Sequence, residues 1–184
     1  MTTPFRKVSE RLLEQGAVVA FYQTTFEGPD GQTFERDVVK HPGAVSVVAL
    51  DSDGSVVMVR QFRAALEGFV LEIVAGKRDV ADEPLEITAA RELEEEVGLV
   101  AGNFVKLAEV AHSPGFTDEI NHVFLATDLS ETQVSHQGIE EENMTIERVS
   151  IDDVVGMISS GHITDAKSIV GLLLTRERLG DTGS

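Results

Sequence analysis

The sequence predicts an α+β fold in which helices pack on a mixed β-sheet. Short apolar runs bounded by glycine, proline and aspartate alternate with longer segments whose apolar residues recur at helical spacing. Ala44–Leu50 is apolar apart from one serine, which is typical of a strand buried on both faces. The turn Asp51–Gly54 joins it to a second strand, Ser55–Gln61, so we expect a hairpin at this point.

Turn signals divide the N-terminal region from the rest of the chain. The turn Glu27–Gly31 separates the apolar segment Ala17–Tyr22 from a strand at Phe34–Val39, which predicts an N-terminal hairpin. We therefore expect a β-hairpin subdomain at residues 1–42 and a larger domain at residues 43–180. The same patterns predict further strands and three helices in the larger domain: strands Phe69–Gly76, Phe104–Ala111, Asn121–Thr127 and Met144–Val149, and helices Pro84–Val97, Ile151–Ser159 and Asp165–Leu179.

Composition narrows the classes of protein to which the chain can belong. The chain has 184 residues, 42% of them hydrophobic, which is enough for a sizeable core. It contains no cysteine, so disulfides and thiolate metal sites are excluded and a cytoplasmic location is expected. A net charge of −17 disfavours nucleic acid, and no apolar run approaches the length of a membrane span, so we expect neither partner.

The helix Pro84–Val97 carries an unusual cluster of acids. Glu92, Glu95 and Glu96 fall within an arc of about 100° on its surface. Like charges at these spacings cost roughly 0.2–0.5 kcal/mol per pair, and two of the three acids lie at the negative end of the helix dipole. A hard divalent cation would offset both penalties. The alternative is a solvated acidic face.

The residues around this cluster resemble the Nudix box. Gly76, Glu83 and the run Arg91–Gly98 match its fixed positions, with six residues between Gly76 and Glu83 where the usual pattern has five. The resemblance implies a Nudix fold, an α/β/α sandwich with a mixed sheet between helices and a small N-terminal β subdomain. In the ADP-ribose pyrophosphatase subgroup that subdomain is exchanged across a homodimer, so a homodimer is expected.

The resemblance also implies a metal site. Its ligands would be Glu92, Glu95, Glu96 and the carbonyl of Ala75, and its cofactor Mg²⁺, with Mn²⁺ as a substitute. Arg91, four residues before Glu95, would orient that carboxylate by charge-assisted hydrogen bonds and so contribute to catalysis with it. The alternative for Arg91 is an ordinary surface ion pair.

A second acidic group, Glu140–Glu142, follows the last glycine before the strand at Met144. In similar ADP-ribose enzymes a glutamate of this region deprotonates or positions the attacking water. The resemblance therefore implies that Glu142, or else Glu141, is the general base. A solvated loop is the alternative.

Two further segments are expected at the substrate. Ser113–Glu119 resembles the Pro-Gly-Phe loop of ADP-ribose pyrophosphatases, which implies that Pro114, Gly115, Phe116 and Glu119 shape the ribose end of the site. A plain turn is the alternative. Arg60 and Arg63 flank an aromatic residue at a strand end and could clamp a diphosphate, and Glu72 is also expected at the substrate. The alternative is a salt bridge from these arginines to Glu72 or Glu67.

Taken together, the resemblance implies metal-dependent hydrolysis of a small nucleotide-sugar, ADP-ribose, to AMP and ribose 5-phosphate. A Nudix hydrolase of another nucleoside diphosphate derivative, such as GDP-mannose, would use the same metal ligands with different loops. A non-catalytic Nudix domain that senses a nucleotide is the third possibility, although such domains usually lose box glutamates that this chain keeps.

Overall fold

The computed structural model describes residues 4–133, 139 and 143–182. Its contacts divide the chain into two compact units. The first comprises Met1–Gly43 with Ala111–Ile120, and the second comprises Ala44–Val110 with Asn121–Ser184. Within the described chain, no helix combines the length and apolar character that a bilayer span requires.

The first unit is built on a three-stranded antiparallel sheet in which β2 is central, with strands β1 (Arg6–Gln15), β2 (Ala20–Glu27) and β3 (Thr33–Lys40). The sequence predicted only two of these strands and missed β1. All ten residues of β1 are exposed, so burial imposes no two-residue alternation on it. Its apolar residues Val8 and Leu12 stand four apart, a spacing that is more typical of a helix.

The segment Ala111–Ile120 attaches to the edge of β3. The backbone N–H of Val39 donates to the carbonyl of Phe116 at 2.7 Å, and that of Asp118 donates to the carbonyl of Val39 at 3.2 Å. The carboxylate of Asp118 also accepts the backbone N–H of His41 at 2.9 Å. These bonds hold a loop distant in sequence against the N-terminal sheet.

Over the residues that the structure describes, the second unit is a six-stranded mixed sheet with helices packed on it. The strand order is β7-β8-β4-β6-β5-β9, in which β4 pairs parallel with β8 and antiparallel with β6. A 3₁₀ turn at Ala64–Leu66 links β5 to β6. The elements are β4 (Ala44–Leu50), β5 (Ser55–Arg63), β6 (Gly68–Lys77), α1 (Leu85–Val97), β7 (Leu99–Ala111), β8 (Ile120–Glu131), β9 (Thr145–Ser150), α2 (Val154–Ser159) and α3 (Ala166–Thr182).

Each face of this sheet forms its own apolar core. Alternate residues of a strand point to opposite faces, and β4 contributes Val45 and Val47 to one core and Val48 to the other. The first core contains Leu93 of α1, whereas the second contains Val154 of α2 together with Ile163 and Leu172. The sheet therefore lies between α1 on one side and α2 and α3 on the other, which confirms the predicted α+β sandwich.

The strand β6 changes its partner midway. Its residues Val74–Lys77 pair with β4, whereas Gly68–Ile73 pair with β5. The backbone N–H of Ile73 lies where this change occurs, and it donates to the side-chain oxygen of Ser168 on α3 at 2.9 Å. A helix side chain thus satisfies a buried backbone donor in the middle of the sheet.

The close approach of α3 to the sheet gives a first prediction. A Cβ at Gly171 would lie 2.8 Å from Cγ2 of Val48 and 3.1 Å from Cγ1 of Val123, both fully buried. In Gly171→Ala, overpacking of about 1–3 kcal/mol should exceed the helix-propensity gain of about 1 kcal/mol. We expect a lower free energy of unfolding in urea. Gly180→Ala is the control in the same helix, because its Cβ would meet nothing within 4 Å; an equal loss there would contradict the prediction.

Candidate active site

The acidic face of α1 lies against the end of β6. The side chains of Glu92 and Glu95 are 12% and 21% exposed, and Glu96 is buried. A Cβ added at Gly76 would overlap the carboxyl group of Glu92, so only glycine leaves room for that carboxyl. The backbone N–H of Ala75 donates to Oε2 of Glu96 at 3.4 Å. The strand end and two of the helix carboxylates therefore form one site.

The helix α1 ends at a glycine cap directly after its buried residues. Gly98 has φ of +64°, and its N–H donates to the carbonyl of Glu94 at 3.0 Å. This left-handed cap terminates the helix immediately after the buried residues Glu96 and Val97.

Arg91 contacts four carboxylates. Its Nη1 lies 2.8 Å from Oε1 of Glu92 and 3.1 Å from Oε2 of Glu95. Its Nη2 lies 3.4 Å from Asp79 and 3.5 Å from Glu83. One guanidinium therefore links the loop before α1 to the acidic face of the helix, and its single positive charge is shared among four carboxylates.

Burial raises the pKa of the Glu92 carboxyl group. Desolvation raises the pKa of Glu92 to about 7, against the opposing attraction of Arg91 and with a further increase from the charge of Glu95. Burial alone would lower the pKa of Arg91, but its carboxylate neighbours outweigh that effect and raise it. A second positive charge near Glu92 would favour its ionised form.

The carboxylates fit a hard divalent cation by their donor chemistry. Glutamate oxygens and a strand-end carbonyl are the ligands that such a cation prefers. In the described part of the chain, however, no three His, Asp or Glu side chains converge as a group that could hold a metal ion. Arg91 occupies oxygens of Glu92 and Glu95, so a cation would compete with this guanidinium for them.

Arg63 pairs with Glu72, which is the salt bridge that the sequence left as the alternative. Nε and Nη2 of Arg63 donate to the two carboxylate oxygens at 2.6 and 2.7 Å. This pairing raises the pKa of Arg63, and the carboxylates of Glu96 and Asp165 add to the effect. The Arg63 side chain is 39% exposed whereas that of Glu72 is 2% exposed, so a buried carboxylate holds a partly exposed guanidinium.

The structure does not bring Arg60 and Arg63 together as a clamp. They stand three residues apart on a regular stretch of β5 and therefore point to opposite faces of the sheet. Arg60 instead pairs with Glu147 of β9, at 2.5 Å and 3.3 Å. The two arginines therefore do not lie side by side on β5.

Sequence reasoning missed three side chains near Glu72. Nζ of Lys167 lies 2.5 Å from Glu72 and 3.0 Å from Asp165. Asp165 accepts the backbone N–H of Ser168 at 2.9 Å and its hydroxyl at 2.5 Å, as the N-cap of α3. The cap was detectable as an aspartate that precedes a helix by one residue, but nothing in the sequence shows that Lys167 points inward.

The other predicted substrate-binding residues belong to the first unit. Pro114, Gly115 and Phe116 are exposed in the first unit, where Glu119 lies 3.4 Å from Nδ1 of His112 and its backbone N–H donates to Thr117. Both candidates for the general base, Glu141 and Glu142, lie outside the described residues.

The chain is similar to several known proteins over most of its length. The model of the NUDIX domain matches residues 40–170. The ADP-ribose pyrophosphatase of Bacillus subtilis is 40% identical over 89% of this chain and 88% of its own. A methanol dehydrogenase activator of Bacillus methanolicus is 38% identical over 85% and 84%. A solved ADP compounds hydrolase covers 100% of this chain and 98% of its own with a TM-score of 0.84, and at 20% identity it supports the fold alone.

Proposed function

The chain belongs to the NUDIX family, and from this premise we propose that it hydrolyses ADP-ribose to AMP and ribose 5-phosphate. The observation that carries the proposal is the intact acidic face of α1, with Glu92 against Gly76 and Glu96 against Ala75. The choice of ADP-ribose rests on the Bacillus subtilis relative, which matches this chain over most of both lengths. A sensor domain without activity would not need these carboxylates.

NUDIX hydrolases are generally dependent on divalent metal ions. We propose Mg²⁺, with Mn²⁺ as a substitute, held by Glu92, Glu95, Glu96 and the carbonyl of Ala75. When bound, the cation supplies positive charge that neutralises the substrate diphosphate. Arg91 holds Glu95 in position through its hydrogen bond at 3.1 Å, and Arg63 lies near Glu96 at the same face of the sheet. Glu142 or Glu141 would take the proton of the attacking water.

The metal proposal predicts a sharp difference between neighbouring glutamates. Glu95→Gln and Glu96→Gln should each lower kcat by about a hundredfold or more, because each removes an anionic ligand. Glu94→Gln is the matched control, since Glu94 is exposed on the same helix and the charge change is identical. Circular dichroism should show that all three variants remain folded. Full wild-type turnover in excess EDTA would contradict the proposal.

The substrate proposal predicts an order of preference. ADP-ribose should have a higher kcat/KM than GDP-mannose, diadenosine polyphosphates or nucleoside triphosphates, because a triphosphate adds negative charge to a chain already at −17. Glu119→Ala should raise KM for ADP-ribose, since we propose that this carboxylate accepts ribose hydroxyls. Glu131→Ala, an exposed glutamate at the end of β8, is the control. A higher kcat/KM for GDP-mannose would move the assignment to another substrate within the family.

We further propose that the chain forms a homodimer through the N-terminal subdomain, residues 1–42. Among the described residues, neither apolar core includes any member of this segment. Its sheet instead exposes large apolar side chains: Phe5, Val8, Leu12, Leu13, Val18, Val19 and Phe21. A second copy of the chain would cover them, because a small sheet lacks a sufficient core of its own.

The dimer proposal is tested by sedimentation. Wild-type protein should sediment at twice the chain mass of 19.9 kDa at micromolar concentration. Leu12→Asp should shift it toward monomer, because it would bury a carboxylate in the interface. Val100→Asp is the control, with a side chain of similar exposure on β7. A wild-type monomer would exclude the dimer.

A further inference from the structure

Arg63, Glu72, Lys167 and Asp165 form a chain of alternating charges that we call the Lys167 network. Two cations and two anions follow one another in space, joined by contacts of 2.6–2.7, 2.5 and 3.0 Å. The side chains become less buried toward both ends, from 2% exposed at Glu72 and 8% at Lys167 to 19% at Asp165 and 39% at Arg63. The network therefore connects the first turn of α3 with a guanidinium at the surface.

Stability alone does not account for this arrangement. Taking charged groups out of water carries a large desolvation cost, and well-packed apolar residues of the same volume often stabilise a protein as much as a buried ion pair or more. What the network provides is a fixed geometry. Glu72 binds two donors of the Arg63 guanidinium in the bidentate manner, which fixes both the position and the plane of that group.

Lys167 and its neighbours hold Glu72 in the position from which it binds Arg63. The backbone next to Glu72 is held by Ser168, whose hydroxyl accepts the N–H of Ile73, and the carboxylate itself is held by Lys167. Asp165 in turn holds both Lys167 and Ser168 through its two oxygens. The first turn of α3 therefore holds both β6 and the carboxylate of Glu72, to which Arg63 is bound.

We propose that Lys167 is a positioning residue of the reaction, which holds Arg63 through Glu72 so that the remaining nitrogen of the guanidinium, Nη1, binds a phosphate of the substrate diphosphate. The proposal rests on the proposed function. Lys167 is only 6% exposed and acts through its neighbours rather than on the substrate. Nε and Nη2 of Arg63 are engaged by Glu72, and within the described part of the chain no hydrogen bond of Nη1 is found.

The network also controls the local charge. With all four side chains ionised it is neutral. Loss of the Lys167 charge leaves a net negative charge beneath the place where the diphosphate would bind. A misplaced Arg63 and a net negative charge would both weaken the binding of a diphosphate more than they alter the chemical step. We therefore expect a higher KM with kcat little affected.

The test compares Lys167→Gln with wild type in two backgrounds. The glutamine removes the charge but keeps a donor for Glu72. We expect KM for ADP-ribose to rise about tenfold with kcat within about threefold of wild type, the loss expected when one charge-assisted hydrogen bond is misplaced. In an Arg63→Met background the same substitution should change KM less than about twofold, because the two residues act as one unit. Lys167→Arg should recover part of the wild-type KM.

A second readout separates this inference from the proposed function. Titration calorimetry with ADP in the absence of turnover should show about tenfold weaker binding to Lys167→Gln than to wild type. If wild type binds ADP but does not hydrolyse ADP-ribose, the proposed function fails. The inference about Lys167 is then still tested by the difference in ADP affinity between wild type and Lys167→Gln. Unchanged KM and ADP affinity, equal losses in both backgrounds, or a Lys167→Gln chain that does not fold would each overturn the inference.

Discussion

The contact between the carboxyl group of Glu92 and the backbone of Gly76 is the constraint on which the rest of the site depends. It fixes how closely α1 approaches the end of β6, because no side chain fits between them. Once this distance is set, Glu96 reaches the amide of Ala75 and Arg91 lies within reach of both the helix and the preceding loop. The apolar side of α1, with Leu93 fully buried, holds the helix at that position.

The acidic side chains around the site are paired with cations in two groups. Arg91 compensates the acids of α1 and its preceding loop, whereas Lys167 and Arg63 compensate Glu72 and Asp165. Glu96 of α1 adds to the raised pKa of Arg63, whose main cause is the pairing with Glu72. A chain with a net charge of −17 thereby concentrates several of its few cations around one strand.

The sequence predicted those features that depend on local pattern. The box helix, its glycine cap and the sandwich of helices on a mixed sheet follow from periodicity and from the resemblance, and the structure contains them. It did not predict β1, because a strand exposed along its whole length carries no alternation. It offered Glu72 as an alternative partner of the arginines, but it did not predict Glu147 as the partner of Arg60 or the inward direction of Lys167. These depend on strand register and on contacts across 87 and 95 residues of sequence.

The change of partner along β6 has a dynamic consequence. The Ile73 amide donates to a hydroxyl of α3 at the point where β6 changes its partner. Its hydrogen exchange is therefore governed by the docking of a helix end, although it lies in the middle of a six-stranded sheet. A transient departure of the first turn of α3 would expose this single amide while the ladders on either side stay closed. Exchange at this one amide would therefore report motion of the C-terminal helix.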